Sequence, residues 1–171
     1  MTDFQLLKNA QPTAESVREA IKADPGFGNH FTDHMAHVRF TREQGWHAHS
    51  VKPYGPLVLD PAAAVFHYGQ EIFEGLKAYR HADGSIWTFR PEKNAARINI
   101  SAERLALPQI DEEAFVGSIK ALVEQDAAWV PTPKNELDEC SLYLRPFMIA
   151  SERFLGVRAS HEVDRSEEHT S

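Results

Sequence analysis

Apolar and polar residues change their period several times along the chain, and each change marks an element. The stretch "SLYLRPFMIA" (141–150) alternates throughout, with Leu142 and Leu144 on one face and Tyr143, Arg145, Phe147 and Ile149 on the other, as an extended strand requires. "HFTDHMAHVRF" and "GWHAHSVKPY" flank the turn "TREQG" and predict a hairpin, its first strand ending near Phe40 and its second starting at Trp46. "LKAYR" and "SIWTFR" predict a second hairpin, because Asp83-Gly84 between them supplies the positive φ of a tight turn. The period then lengthens. In "PEKNAARINISAERLAL", Ile98, Ala102 and Leu105 recur at i, i+4 and i+7 behind Pro91, which sits where helices begin, so Arg97 falls early in a helix. Phe115, Ile119, Leu122 and Val123 form the stripe of a further helix from Asp111 or Glu112 to about Trp129, with first-turn acids that suit the helix dipole.

Residues 1–30 combine a short helix, Ala14 to Ala23 behind Thr13 as N-cap, with the turn-rich "DPGFGNH", and read as an arm leading into the domain. Strands, two helices and a returning strand over 31–160 predict an α+β domain with a largely antiparallel sheet and two packed helices. Residues 161–171, "HEVDRSEEHTS", carry no apolar period. "RSEEHTS" (Arg165 to Ser171) reads as the translation of a sequencing-library adapter, so 161–171 are expected to be a non-native or disordered tail, and the chain before them part of a longer protein.

The 171 residues, 42% of them hydrophobic, support one good core. A formal charge of −7 without a basic patch argues against a nucleic-acid partner. No apolar run reaches the ~20 residues of a membrane span, and the single Cys140 cannot form an intramolecular disulfide, so a reducing cytoplasmic setting is expected.

Two arginines stand out, each with two readings. Arg145 lies beside Tyr143 on a mostly apolar face, roughly 7 Å away along the strand. It either meets an anion or hydrogen-bonding network, or sits at a sheet edge with its head in water. Arg97, near a helix N-terminus, either grips a phosphate or pairs with Glu92, Glu103 or another nearby acid. Of the nine histidines, His47 and His49 share a strand face and could form half a zinc site. No cysteine cluster, HExxH or carboxylate at ligand spacing completes it, so no metal is assigned and hydrogen-bonded or solvated histidines are expected. A glycine-rich phosphate loop and a Gly-x-Ser-x-Gly elbow are both missing, and Cys140 has no evident base.

Five blocks, "FGNHFTDHM" (27–35), "HYGQEIFEGLKAYR" (67–80), "FRPEKNAARINISAERL" (89–105), "DAAWVP" (126–131) and "SLYLRPFMIASERFLGV" (141–157), closely resemble, in this order and spacing, the N-terminal half of branched-chain amino-acid aminotransferases, class IV, fold type IV enzymes of pyridoxal 5'-phosphate (PLP). The likeness covers about residues 25–158. It implies a small N-terminal α+β domain whose face closes over PLP held mainly by a larger second domain. It also implies roles. Arg97 resembles the arginine that grips the cofactor phosphate, and Phe27, Tyr68 and Tyr143 resemble walls of the substrate pocket. Arg145 resembles the arginine that accepts the side-chain carboxylate of glutamate, and Val157 a residue that reaches into the partner's pocket in a homodimer.

The implied reaction transfers the amino group of leucine, isoleucine or valine to 2-oxoglutarate, with small amino and 2-oxo acids as partners. The lysine that forms the Schiff base with PLP lies in the family's second domain. None of Lys8, Lys22, Lys52, Lys77, Lys93, Lys120 and Lys134 matches it, so the chain by itself is expected to be inactive. Two alternatives accompany this reading: a D-amino-acid transaminase or aminodeoxychorismate lyase of the same fold, and a non-catalytic binding or dimerisation module. The "FTDHM", "FEGLKAY" and "SLYLRP" blocks favour the branched-chain type.

Overall fold

The segments that alternate in sequence pair as ladders, and the two long 3.6-period segments cover one face of the resulting sheet. In the computed structural model, which describes residues 3–135 and 138–170, the chain runs β1 (Gln5–Leu6), α1 (Glu15–Ala23), β2 (His34–Thr41), β3 (Gly45–Pro53) and α2 (Ala64–Tyr68). It continues with β4 (Glu71–Phe73), β5 (Leu76–Arg80), β6 (Ile86–Thr88), α3 (Pro91–Arg104) and α4 (Glu112–Gln125). A 3-10 turn (Ala127–Trp129) and the strands β7 (Leu142–Ala150) and β8 (Glu162–Thr170) complete it. One eight-stranded sheet runs β1-β3-β2-β8-β7-β5-β6, with β4 also on β7. Every pairing is antiparallel except β1 with β3.

Both hairpins lie where the turn residues put them, and Gly84 adopts φ 85° between β5 and β6. Pro91 opens α3, and the Asp111 carboxylate caps α4 by accepting the Ala114 N–H at 3.0 Å. Thr13 does not cap α1. That helix starts from Ala14 without a side-chain cap, while the Thr13 amide and hydroxyl both donate to Asp33, tying the arm to the start of β2. The arm also contributes β1 to the sheet edge.

The core lies between the sheet and α3 and α4. Ala95, Ile98 and Ala102 of α3 and Phe115, Ile119 and Val123 of α4 pack with Trp129 and with Leu142, Leu144 and Met148 of β7. Burial of each large side chain contributes about 1.5–3 kcal/mol. Leu105, expected in the α3 stripe, is instead the half-exposed C-cap, because the helix ends one residue before it. Leu122 joins Ala36 and Val51 in a smaller cluster under the β2–β3 hairpin.

The expectation of a disordered tail over 161–171 is corrected for 162–170, which form β8; Ser171 lies outside the described residues. β8 runs between β2 and β7, pairing from Glu162 with Thr41 to Glu167 with Ala36 on one side and from Val163 with Ala150 to Thr170 with Tyr143 on the other. The cause is backbone, not side chain: strands on both flanks offer unpaired N–H and C=O groups, which any residue but proline can satisfy.

Candidate functional site

The candidate residues Tyr143 and Arg145 lie on the face of β7 turned away from the helices. Because neighbouring strands in register point paired residues the same way, Tyr143 and Arg145 share this face with Lys77 of β5 and Glu168 of β8. The Arg145 guanidinium donates through Nε and Nη2 to the Tyr143 hydroxyl at 3.2 and 3.0 Å and lies over the Phe73 ring, 4.5 Å from its centroid. Phe27 meets Tyr143 edge-on, with ring centroids 5.3 Å apart. An open cleft of about 370 Å³ continues past Arg145, lined by Glu71, Ile72, Phe73, Phe147 and Glu168. Of the two readings of Arg145, the hydrogen-bonding network holds.

Gly75 makes this corner possible. A Cβ there would collide with the Tyr143 hydroxyl, so only glycine lets the ring lie against the β4–β5 link. One residue earlier, Glu74 turns the other way and is buried, with its N–H donating to the Pro146 carbonyl at 2.8 Å. Its carboxylate accepts Arg97 Nε and Nη2, each at 2.6 Å, and Asn94 Nδ2 at 2.8 Å. Burial pushes the Glu74 carboxyl up, but the hydrogen bonds from Arg97 and Asn94 outweigh it and hold the group below its ordinary value of 4.5. Arg97 is therefore paired with an acid, as one of its two readings required, though with a distant one rather than Glu92 or Glu103. Its side chain is still 66% exposed, and among the described residues Nη1 has no hydrogen-bond partner. A guanidinium held from one edge with its other edge open fits a phosphate, so the residues present are compatible with a phosphorylated cofactor.

Tyr143 thus touches both Phe27 and Arg145, and Arg97 joins this corner through Glu74 and Gly75. Tyr68 and Val157 stand apart. Tyr68 ends α2, half-exposed, with its ring against His67, and Val157 is 96% exposed in the bend after β7. Sequence reasoning missed Phe73, Glu74, Gly75 and Asn94. "FEG" between two strand-like runs was the available signal for the first three; nothing local links Asn94 to them. His47 bonds the Gly45 carbonyl and His49 packs on Phe4, and among the described residues no group of three or more His, Cys, Asp or Glu could hold a metal ion. Burial, together with Asp138, pushes the Cys140 thiol up, away from a nucleophile's range. No helix among the described residues is long and apolar enough to cross a membrane.

No family model matches the chain. Curated relatives do. It is 56% identical over 160 residues to the branched-chain-amino-acid aminotransferase of Mycolicibacterium smegmatis, an overlap covering 94% of this chain and 43% of that protein. It is 54% identical over 159 residues to the probable branched-chain-amino-acid aminotransferase of Streptomyces coelicolor, covering 93% and 43%. Among solved structures, a T.th. branched-chain amino acid aminotransferase complexed with N-(5'-phosphopyridoxyl)-L-glutamate superposes with a TM-score of 0.58 at 21% identity, over 80% of this chain and 41% of that one. The enzyme of Thermobaculum terrenum in its PLP form gives 0.53 at 15%, over 78% and 39%. At such identities the structures show a common fold. The chain spans about two fifths of the length of the relatives it matches.

Proposed function

Because this chain belongs to the branched-chain-amino-acid aminotransferase family, whose PLP fold type IV architecture it shares, we propose that it supplies the substrate-facing lobe of an enzyme moving the amino group of leucine, isoleucine or valine to 2-oxoglutarate. The observation that carries this reading is the guanidinium of Arg145, flanked by the rings of Phe73 and Tyr143, with Phe27 edge-on to Tyr143, and satisfied by one hydroxyl. Such a corner can take an aliphatic side chain against its rings, at ~25 cal/mol per Å² of apolar area buried. It can also take one extra carboxylate, because Arg145 can exchange the Tyr143 hydroxyl for a charge-assisted pair. Leucine leaves the guanidinium on Tyr143; glutamate engages it. The T.th. enzyme's adduct with a phosphopyridoxyl glutamate supports glutamate as the second substrate.

PLP, when bound, acts as the electron sink that makes the substrate α-proton removable. In this lobe Arg97 is the residue proposed to hold its phosphate, and Phe27 and Tyr143 to wall the space beside it, with Tyr68 and Val157 completing the pocket from α2 and from a partner subunit in a homodimer. The lysine that carries the cofactor is assigned to the remainder of the protein, so the chain alone is proposed to be inactive. A reducing cytoplasmic setting, in which Cys140 stays a free thiol, fits this assignment.

The test completes the chain in frame with the rest of the M. smegmatis relative and assays L-leucine and D-alanine with 2-oxoglutarate. Preference for L-leucine is expected; preference for D-alanine would move the assignment to the D-amino-acid type. In the same protein, Arg145→Ala should lower kcat/KM for the glutamate half-reaction by at least tenfold more than for leucine, and equal losses would contradict the two-substrate role.

A further inference from the structure

We infer that Glu74 is a positioning residue for phosphate recognition: its buried carboxylate clamps one edge of the Arg97 guanidinium so that the opposite edge is presented, pre-aligned, to the phosphate of the cofactor. The inference rests on the reading of Arg97 as the phosphate arginine and goes beyond it in naming what aims that arginine.

Glu74 is only 4% exposed, although its partner's side chain is 66% exposed, so the pair is built from inside outward. Its backbone is fixed where the chain passes from β4 to β5, both of which pair with β7 on either side of it. Its carboxylate receives two donors from Arg97 and one from Asn94, residues one helical turn apart on α3. Asn94 also donates to the Gly75 carbonyl at 3.2 Å, so the helix is bolted to the same link that shapes the Tyr143 corner. An unrestrained arginine must freeze several rotors to bind an anion. Here Nε and one N–H of Nη2 are already engaged, leaving both hydrogens of Nη1 and one of Nη2 to face outward. Glu74 also cancels the guanidinium's charge at a distance, so recognition depends on direction rather than net attraction. Loss of aim should therefore outweigh any electrostatic gain from removing the carboxylate.

The experiment titrates the 171-residue chain with pyridoxamine 5'-phosphate and, separately, with pyridoxamine, neither of which has an aldehyde to react with lysines. Dissociation constants are read by NMR, and folding of each variant is checked by circular dichroism. Arg97→Ala should weaken the phosphorylated ligand about tenfold and leave pyridoxamine unchanged. Glu74→Gln should produce the same phosphate-selective loss, about three- to tenfold, with little further loss in the Arg97→Ala background. If the parent chain shows no preference for the phosphorylated ligand, or Arg97→Ala does not remove it, the phosphate reading fails and this inference with it. If Arg97→Ala is selective but Glu74→Gln weakens both ligands equally, or neither, the positioning role alone is overturned. Should Glu74→Gln fail to fold, Asn94→Ala decides by the same criterion, with a smaller phosphate-selective loss expected, since it loosens the clamp without removing a charge.

Discussion

β7 and β8 lie side by side in the sheet, nine residues each, paired over eight positions, yet they are opposites. β7 sends Leu142, Leu144 and Met148 under the helices and Tyr143 and Arg145 to the site face. β8 sends Arg165, Glu167 and His169 under the same helices. Arg165 lies in register between Val38 and Met148, Glu167 between Ala36 and Pro146, and His169 beside Leu144. All three are fully buried, and only one direct hydrogen bond, Arg165 Nη2 to Glu167 at 3.1 Å, joins them. The guanidinium also rests on the Phe115 ring, Glu167 accepts from Ser118, and His169 Nε2 stands 3.8 Å from Glu167 Oε1, but among the described residues Arg165 Nε and Nη1, Glu167 Oε1 and both ring nitrogens of His169 have no hydrogen-bond partner. The contrast separates two requirements that usually coincide. Backbone pairing admits a strand to a slot; side-chain chemistry decides whether the slot rewards it.

The sharpest way to break the comparison is to remove one partner of the buried pair. Glu167→Leu leaves the Arg165 charge alone in the core and should cost about 3–5 kcal/mol, read as a lower urea midpoint. In β7, Leu144→Ala opens a cavity instead and should cost about 2–5 kcal/mol by the same measurement. Replacing the whole inward row of β8 (Arg165→Leu, Glu167→Val, His169→Val) should do the opposite and raise stability by about 1–4 kcal/mol, because Ser118 keeps its bond to the Phe115 carbonyl. A triple variant less stable than the parent would show that the buried charges are better satisfied than their geometry implies.

The smallest expected effects are on pH dependence, and they have opposite signs. Burial, against the pull of Arg145, holds the Glu168 carboxyl above its ordinary 4.5, so its ionisation disfavours the fold, and stability falls as pH rises from 4.5 through the raised value. Glu74 is held below 4.5, so its contribution is complete above that pH and fades as pH falls through the depressed value. Thermal midpoints from pH 3 to 7 should therefore flatten on the alkaline side of 4.5 in Glu168→Gln and on the acid side in Glu74→Gln.

Much of the molecule was legible without coordinates. Strict alternation in 141–150, the Asp83-Gly84 turn, Pro91 and the apolar stripe of 112–123 act over a few residues, and each produced the element it implied. Family-like blocks named Phe27, Tyr143, Arg145 and Arg97 as site candidates, and the fold brings three of them into contact. Thr13 failed as a cap because Asp33, twenty residues away, competes for its hydroxyl. Glu74 was invisible for the same kind of reason: a single acid in "FEG" gains meaning only when α3 crosses the β4–β5 link.

The sequence by itself determined α1, α3, α4 and the strands β2, β3, β5, β6 and β7, since these depend on periodicity and local turn signals, while five ordered motif blocks pointed to the family. Tertiary structure alone decided that Glu74 aims Arg97, that Gly75 makes room for Tyr143, and that 162–170 fill a gap between β2 and β7. The physical reason is range: backbone groups left unpaired and charges left buried are satisfied by whatever the fold brings near, and that partner is not written in the neighbouring residues.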